Sequence, residues 1–258
     1  MPMKSLVRVF ACSLPLALAA CGGASQPAAP PVTQAQAAPA AAPAAGNGSV
    51  SGRISFEGTA PAAEKVKLSA DAKCAAMHKD GLQREPIKVT DGGLADVLVY
   101  VKAGLSGSYP APAEPVLLDQ KGCDYSPHML GMVAGQKIKI RNSDDTLHNI
   151  HPRPKENAEF NVGQPRQGME SEKSFEKAEM LIPVGCDVHP WMRAYISVLS
   201  HPFFAVSAKD GSFEIKGLPA GDYEVQAVHA KLGADKAVSG KVTVKAGEAA
   251  KLDLSLKG

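Results

Sequence analysis

From residue 49 to the C-terminus, no apolar run lasts more than a few residues before Gly, Asp, Asn or Pro interrupts it. Short alternating runs of this kind suit half-buried strands, because successive side chains on a strand point to opposite faces. The pattern predicts an all-β fold of sandwich type, with expected strands that include Ser49 to Phe56, Lys137 to Asn142, Met180 to Val184, Ala194 to Leu199, Asp222 to His229 and Ala249 to Leu256. Long polar loops are expected at 103 to 114 and 152 to 171. A short helix is expected only within 69 to 79, where Ala and Lys dominate.

The first 48 residues are of a different kind. Lys4 and Arg8 precede the apolar run Val9 to Ala20, which is too short to span a hydrocarbon core of about 30 Å as a helix. It reads as a signal peptide. The sequence Leu18-Ala19-Ala20-Cys21-Gly22 at its end resembles a bacterial lipobox, which implies acylation of Cys21 and a lipid-anchored protein of the periplasm, with the outer membrane favoured. Residues 22 to 48 carry no charge and no aromatic side chain, so they cannot offset the entropy of folding. They are expected to form a tether that reaches between ~30 Å as a coil and ~80 Å as polyproline II.

Charge narrows the partners. Of 28 Lys and Arg, two leave with the signal, and the remainder balance the 26 Asp and Glu. Nucleic-acid binding leans on a concentrated cationic field, which this chain lacks, so no nucleic-acid partner is expected. Cysteine arithmetic is more informative. Cys12 leaves with the signal and Cys21 takes lipid, so Cys74, Cys123 and Cys186 remain. In an oxidising compartment two of three usually pair. Cys186 sits among other potential ligands, so the expected disulfide is Cys74–Cys123; a pairing that consumed Cys186 would remove the site described next.

That site is the run Cys186-Asp187-Val188-His189-Pro190-Trp191-Met192, which offers thiolate, imidazole and thioether within seven residues just after an expected strand. Earlier in the chain, the strand ending at Asn142 leads into His148-Asn149-Ile150-His151. One imidazole from there, together with Cys, His and Met from one loop, is the donor set of a His2Cys copper site with a weak axial Met. Zinc is the second choice, since a thioether is a poor fourth ligand for it. One Cys in the loop makes any copper site mononuclear. A Cys–His nucleophile would also need an orienting group and an oxyanion device, neither of which is recognisable, so the chain is not read as an enzyme.

These residues resemble the cupredoxins, and within them the amicyanins. The Cys-x-x-His-Pro-aromatic-Met-Arg loop is similar to the short amicyanin ligand loop, with Trp191 where those proteins carry Phe. The segment Ile140-Arg141-Asn142 followed by His148-Asn149-Ile150-His151 is similar to the amicyanin Asn and His-Asn-x-His segment. The resemblance covers about 80 residues and implies a Greek-key sandwich over 112 to 200. It implies one copper ion, cycling between Cu(I) and Cu(II), held by His148, Cys186, His189 and Met192. It also implies Asn142 and Asn149 as supporting residues, with Asn142 bracing the Cys loop. His151, like His78, His128, His201 and His229, is read as structural, with His128 beside Met129 and Met132 the one tempting secondary cluster.

The run Lys209-Asp210-Gly211-Ser212-Phe213-Glu214-Ile215 followed by Leu218-Pro219-Ala220-Gly221-Asp222-Tyr223 resembles the carboxypeptidase regulatory-like, transthyretin-type domain. Such a domain opens with a strand like Val50 to Ile54, here more than a hundred residues upstream. The expected organisation is a small β-sandwich made of 49 to 111 plus 201 to 258, interrupted by the cupredoxin-like segment; the alternative is two consecutive domains with an unrelated first hairpin. Two functions follow: a one-electron carrier that meets a redox partner transiently at a surface edge of His189 near Trp191, or a copper-delivery or surface interaction lipoprotein without redox shuttling.

Overall fold

The computed structural model describes residues 46–68 and 71–258. The expected signal peptide, Cys21 and all but the last three residues of the expected tether lie outside the described residues. Gly48 already begins the strand Gly48–Glu57. The fold is all-β. Among the described residues the only helices are Ala72–Met77 and a single 3-10 turn, Ala234–Lys236.

Gly48–Glu57 pairs antiparallel with Ser212–Leu218, placing Val50 opposite Ile215. On its other side it pairs parallel with both Ala249–Lys251 and Leu254–Lys257. The expected single strand from 249 to 256 is therefore broken. At the break the Leu252 N–H donates to the Ser51 carbonyl, and the Asp253 carboxylate accepts the Arg53 N–H at 2.7 Å. A facing sheet runs in the order Phe204–Val206, Val97–Ala103, Gly221–His229, Val238–Val244. Alternation explains the layer between them. Phe213 and Ile215 on one sheet, and Tyr223, Val225 and Ala227 on the other, turn every second side chain inward to meet Val50, Ile54, Val97 and Val99.

The chain between 116 and 199 builds two further sheets. One has the order Glu170–Ser174, Lys137–Asn142, Val116–Gln120, Tyr125–Ser126; the other has Val162–Gln164, His148–Pro152, Glu179–Gly185, Arg193–Leu199, Met129–Val133. Both are mixed: Val116–Gln120 runs parallel to Lys137–Asn142, and Met129–Val133 runs parallel to Arg193–Leu199. Leu118, Ile138, Ile140, Ile150, Phe175, Ile182, Ile196 and Val198 fill the space between them. The loop expected at 152 to 171 contains the short strand Val162–Gln164, whose Gln164 lies opposite His148. Polar composition hid it, because only one of its three residues is buried.

Leu98, Met129, Leu199 and Val228 form a further buried cluster between these sheets, with Phe204 packed against them. Gly131 lets the Phe204 ring lie directly on the strand, since a Cβ there would stand 2.4 Å from it.

A hairpin of Glu64–Val66 and Leu82–Arg84 frames the short helix Ala72–Met77. Ala and Lys favour the helix, and Asp71 caps it by accepting the N–H groups of Lys73 at 2.7 Å and Cys74 at 2.9 Å. A helix this short does not hold itself in water. A disulfide between Cys74 and Cys123 attaches it to the middle sandwich, with Leu68 packed around the bridge.

Candidate metal centre

His148 opens the strand His148–Pro152, and the turn before it fixes its place. Asn142 sits at the base of that turn: its Nδ2 donates to the carbonyls of Thr146 and Gln164, each at 2.8 Å, and its Oδ1 accepts the Asp144 N–H at 2.9 Å. Asn142 therefore braces the turn carrying His148, not the Cys loop as the resemblance implied. Asn149 does the latter. Its Oδ1 accepts the Asp187 N–H at 2.8 Å and lies 3.2 Å from the Cys186 sulfur.

The loop from 186 to 192 closes on itself. The His189 N–H points at the Cys186 sulfur at 3.3 Å, the Met192 N–H donates to the His189 carbonyl at 2.9 Å, and the Cys186 N–H donates to the Met192 carbonyl at 3.4 Å. These bonds turn Cys186 and His189 inward together. Met192 is fully buried in the same apolar cluster as Cys186.

Three donors converge. Nδ1 of His148 lies 2.9 Å from Nδ1 of His189, and the Cys186 sulfur lies 3.8 Å from that same His189 nitrogen. All three donor atoms fall within 4.8 Å of one another. Donors at bond lengths of about 2.0–2.3 Å around one tetrahedral ion stand about 3.3–3.8 Å apart, so the cluster is close to a metal-binding triangle before any adjustment. The residues are 0%, 3% and 0% exposed for His148, Cys186 and His189.

The outer nitrogens decide how the triangle can be satisfied. His148 Nε2 meets the Asp144 carboxylate at 2.9 Å, and His189 Nε2 meets the Asp71 carboxylate at 3.1 Å. A carboxylate accepts, so each Nε2 carries a hydrogen, and in a neutral ring Nδ1 is then a bare lone pair. Two such lone pairs cannot face each other at 2.9 Å without a cation between them, either a proton or a metal ion. The donor chemistry fits a metal.

Titration behaviour reflects the same network. Burial works to raise the Cys186 thiol, but hydrogen bonds from His148 and His189 outweigh it and bring the thiol down to about 6. Burial pulls the His148 imidazole down, yet Asp144 and Cys186 hold it above its ordinary value. Burial also works to raise Asp71, but the Cys74 N–H, His189 and Thr146 lower it to about 2. Asp144 is lowered in the same way by His148 and by the N–H groups of Cys123 and Gly122.

One other expectation is corrected. His189 does not reach the surface, because the Asp71 segment covers its outer edge. Trp191 is only partly buried, with its ring centre 5.0 Å from that of His189, and its Nε1 donates to the Cys123 carbonyl at 3.0 Å. His128 is occupied by Asp124 and Lys88, and His151 by Asp187 and Glu159, so neither joins the cluster. Cys74 and Cys123 also lie beside the imidazoles, but as a disulfide they offer no thiolate. Sequence reasoning missed Asp71 and Asp144. Asp144 stands four residues before His148 and was open to detection; Asp71 is 118 residues from His189 and carries no local signal beyond its helix-cap position.

No family model matches the chain. No curated protein matches it either. Among solved structures, a copper-containing nitrite reductase from Thermus scotoductus SA-01 is similar at 20% identity and a TM-score of 0.31, over 38% of this chain and 25% of that one. The chain thus spans about a quarter of the reductase. A purple cupredoxin from Nitrosopumilus maritimus is similar at 22% identity and a TM-score of 0.28, over 32% of this chain and 98% of that one. An amicyanin variant in its oxidised form is similar at 15% identity and a TM-score of 0.30, over 39% of this chain and 97% of that one.

Proposed function

We propose that the middle sandwich binds one copper ion and passes single electrons in the periplasm, on a protein anchored to the membrane through Cys21. The observation that carries this reading is the buried triangle of His148 Nδ1, His189 Nδ1 and Cys186 sulfur, with Met192 supplied by the same short loop. Soft sulfur together with two imidazoles suits copper in both oxidation states. When bound, copper supplies the one-electron couple; the protein supplies a fixed set of donors.

Fixity is what an electron carrier needs. Both imidazoles are held at their far nitrogens by carboxylates, and the thiol is set by the Asn149 amide and the loop's own bonds. Such partners orient ligands and tune the metal. Met192, buried in the same cluster as Cys186, would be a weak fourth donor. With the outer edge of His189 covered, the partner docks beside it, where Trp191 is half-buried and Val188 is 40% exposed. Small, weak interfaces suit rapid exchange.

The test is optical and electron-spin-resonance spectroscopy of the copper-loaded protein. A strong visible charge-transfer band that bleaches reversibly with one electron supports the carrier. A colourless copper complex would instead favour copper delivery, a reading to which the covered His189 also lends some weight.

A further inference from the structure

The segment from 71 to 77 belongs to neither sandwich layer, yet it reaches into the centre of the candidate site. Asp71 uses its two carboxylate oxygens for different purposes. Oδ1 caps the short helix through the N–H groups of Lys73 and Cys74. Oδ2 accepts from His189 Nε2 at 3.1 Å and from the Thr146 hydroxyl at 3.0 Å. Thr146 lies in the turn that leads to His148, so this one oxygen ties the segment to the surroundings of both imidazoles.

The disulfide keeps Asp71 there. Cys74 is three residues from Asp71, its sulfur lies 3.7 Å from His189 Nε2, and its bridge to Cys123 spans 49 residues of sequence. Cys123 in turn gives its N–H to Asp144, the carboxylate behind His148, at 2.7 Å. The bridge thus joins the supports of the two imidazoles. A helix of six residues could not hold Asp71 in place alone.

We infer that Asp71 is a positioning residue which holds His189 in the tautomer that leaves Nδ1 free for the metal, and that the Cys74–Cys123 disulfide clamps it in that position. The inference rests on the copper reading for its metal-exchange arm, but its tautomer arm does not depend on copper. A neutral ring that donates from Nε2 to a carboxylate presents a lone pair at Nδ1. A group that donates to Nε2 instead would shift the hydrogen to Nδ1 and oppose binding there.

Two substitutions separate this role from simple helix capping. Asn and Ser are both good caps. In Asp71→Asn the amide oxygen can keep the cap, which leaves the amide NH2 facing His189. In Asp71→Ser the cap is kept, but the side chain falls short of the ring. Capping alone predicts that both variants behave like the parent. Tautomer control predicts a ranking: the parent holds metal best, Asp71→Ser less well, and Asp71→Asn worst.

The experiment uses the full chain in two arms. In the metal-free protein, nitrogen NMR of labelled His189 should show an Nε2–H ring in the parent and an Nδ1–H ring in Asp71→Asn. In the Cu(I)-loaded protein, transfer to a Cu(I)-specific chelator should quicken by about 10- to 100-fold in Asp71→Asn and by less in Asp71→Ser, the scale usual for loss of a ligand's hydrogen-bond partner. The double variant Cys74→Ser with Cys123→Ser should exchange copper like Asp71→Ser, and adding Asp71→Ser to it should change little. An Nε2–H ring in Asp71→Asn, or parent-like exchange in that variant, overturns the inference. A parent protein that takes up no copper defeats the functional reading, while the NMR arm still decides the role of Asp71.

Discussion

His148 and His189 face each other through their Nδ1 atoms at 2.9 Å, while each gives its Nε2 to a carboxylate from a different part of the chain. The arrangement fixes both rings from behind and concentrates lone pairs at one point. Everything expected of the site follows from that concentration together with the sulfur of Cys186.

Replacing the sulfur should remove the colour without removing the fold. Cys186→Ser keeps the size of the side chain but loses the sulfur-to-copper transition, so the visible band of copper-loaded protein should vanish while the far-ultraviolet circular dichroism stays unchanged. Met192→Leu should keep the band and raise the reduction potential, because a weak donor that favours Cu(II) is lost. An unchanged potential would remove Met192 from the coordination shell.

Asp144 ought to matter for stability as well as for metal. Its carboxylate accepts the N–H groups of Gly122 and Cys123 and supports His148, all in a nearly buried position. Asp144→Ala leaves these donors without a partner, at a cost of about 3 kcal/mol. Denaturant unfolding of metal-free protein should show this loss as a lower midpoint at unchanged slope.

The disulfide closes a span of 49 residues. Constraining the unfolded chain over such a loop contributes about 4 kcal/mol in the loop-entropy account. The Cys74→Ser, Cys123→Ser double variant should therefore unfold at markedly lower denaturant. Under denaturing conditions without reductant, thiol titration of the segment starting near Gly48 should find one reactive thiol, that of Cys186.

His229 should give the protein an acid-sensitive step unrelated to metal. It is 4% exposed, and its Nδ1 has no hydrogen-bond partner among the described residues. Burial lowers it to about 4, with Asp96 acting in the opposite direction and Lys231 and Lys88 adding to the drop. The unfolded chain takes up a proton near pH 6.5, which the folded chain refuses until about pH 4. The contribution is thus fully present above pH 6.5 and is lost as pH falls toward 4, amounting to at most ~3 kcal/mol. His229→Gln should flatten the fall of the melting temperature across that window; an equally steep fall would place its cause elsewhere.

Much of this was legible in the residues themselves. Period-two alternation is a local property, so the strands around Ile138 and Ile140 or Tyr223 and Val225 could be read directly, and so could the short helix after Asp71. The ligand-like loop was legible for the same reason, since Cys186, His189 and Met192 lie within seven positions and need only one tight turn to meet. Pairing Cys74 with Cys123 followed from the cysteine count together with the ligand-like setting of Cys186.

Tertiary structure alone decided the rest. That Asp71 would stand behind His189, that Asn149 and not Asn142 would brace the Cys loop, and that His189 would be covered all depend on contacts between segments far apart in sequence. A carboxylate in a polar stretch has the same local pattern whether it faces water or an imidazole 118 residues away. Only the packing of the chain, with the disulfide holding the short helix against it, chooses between the two.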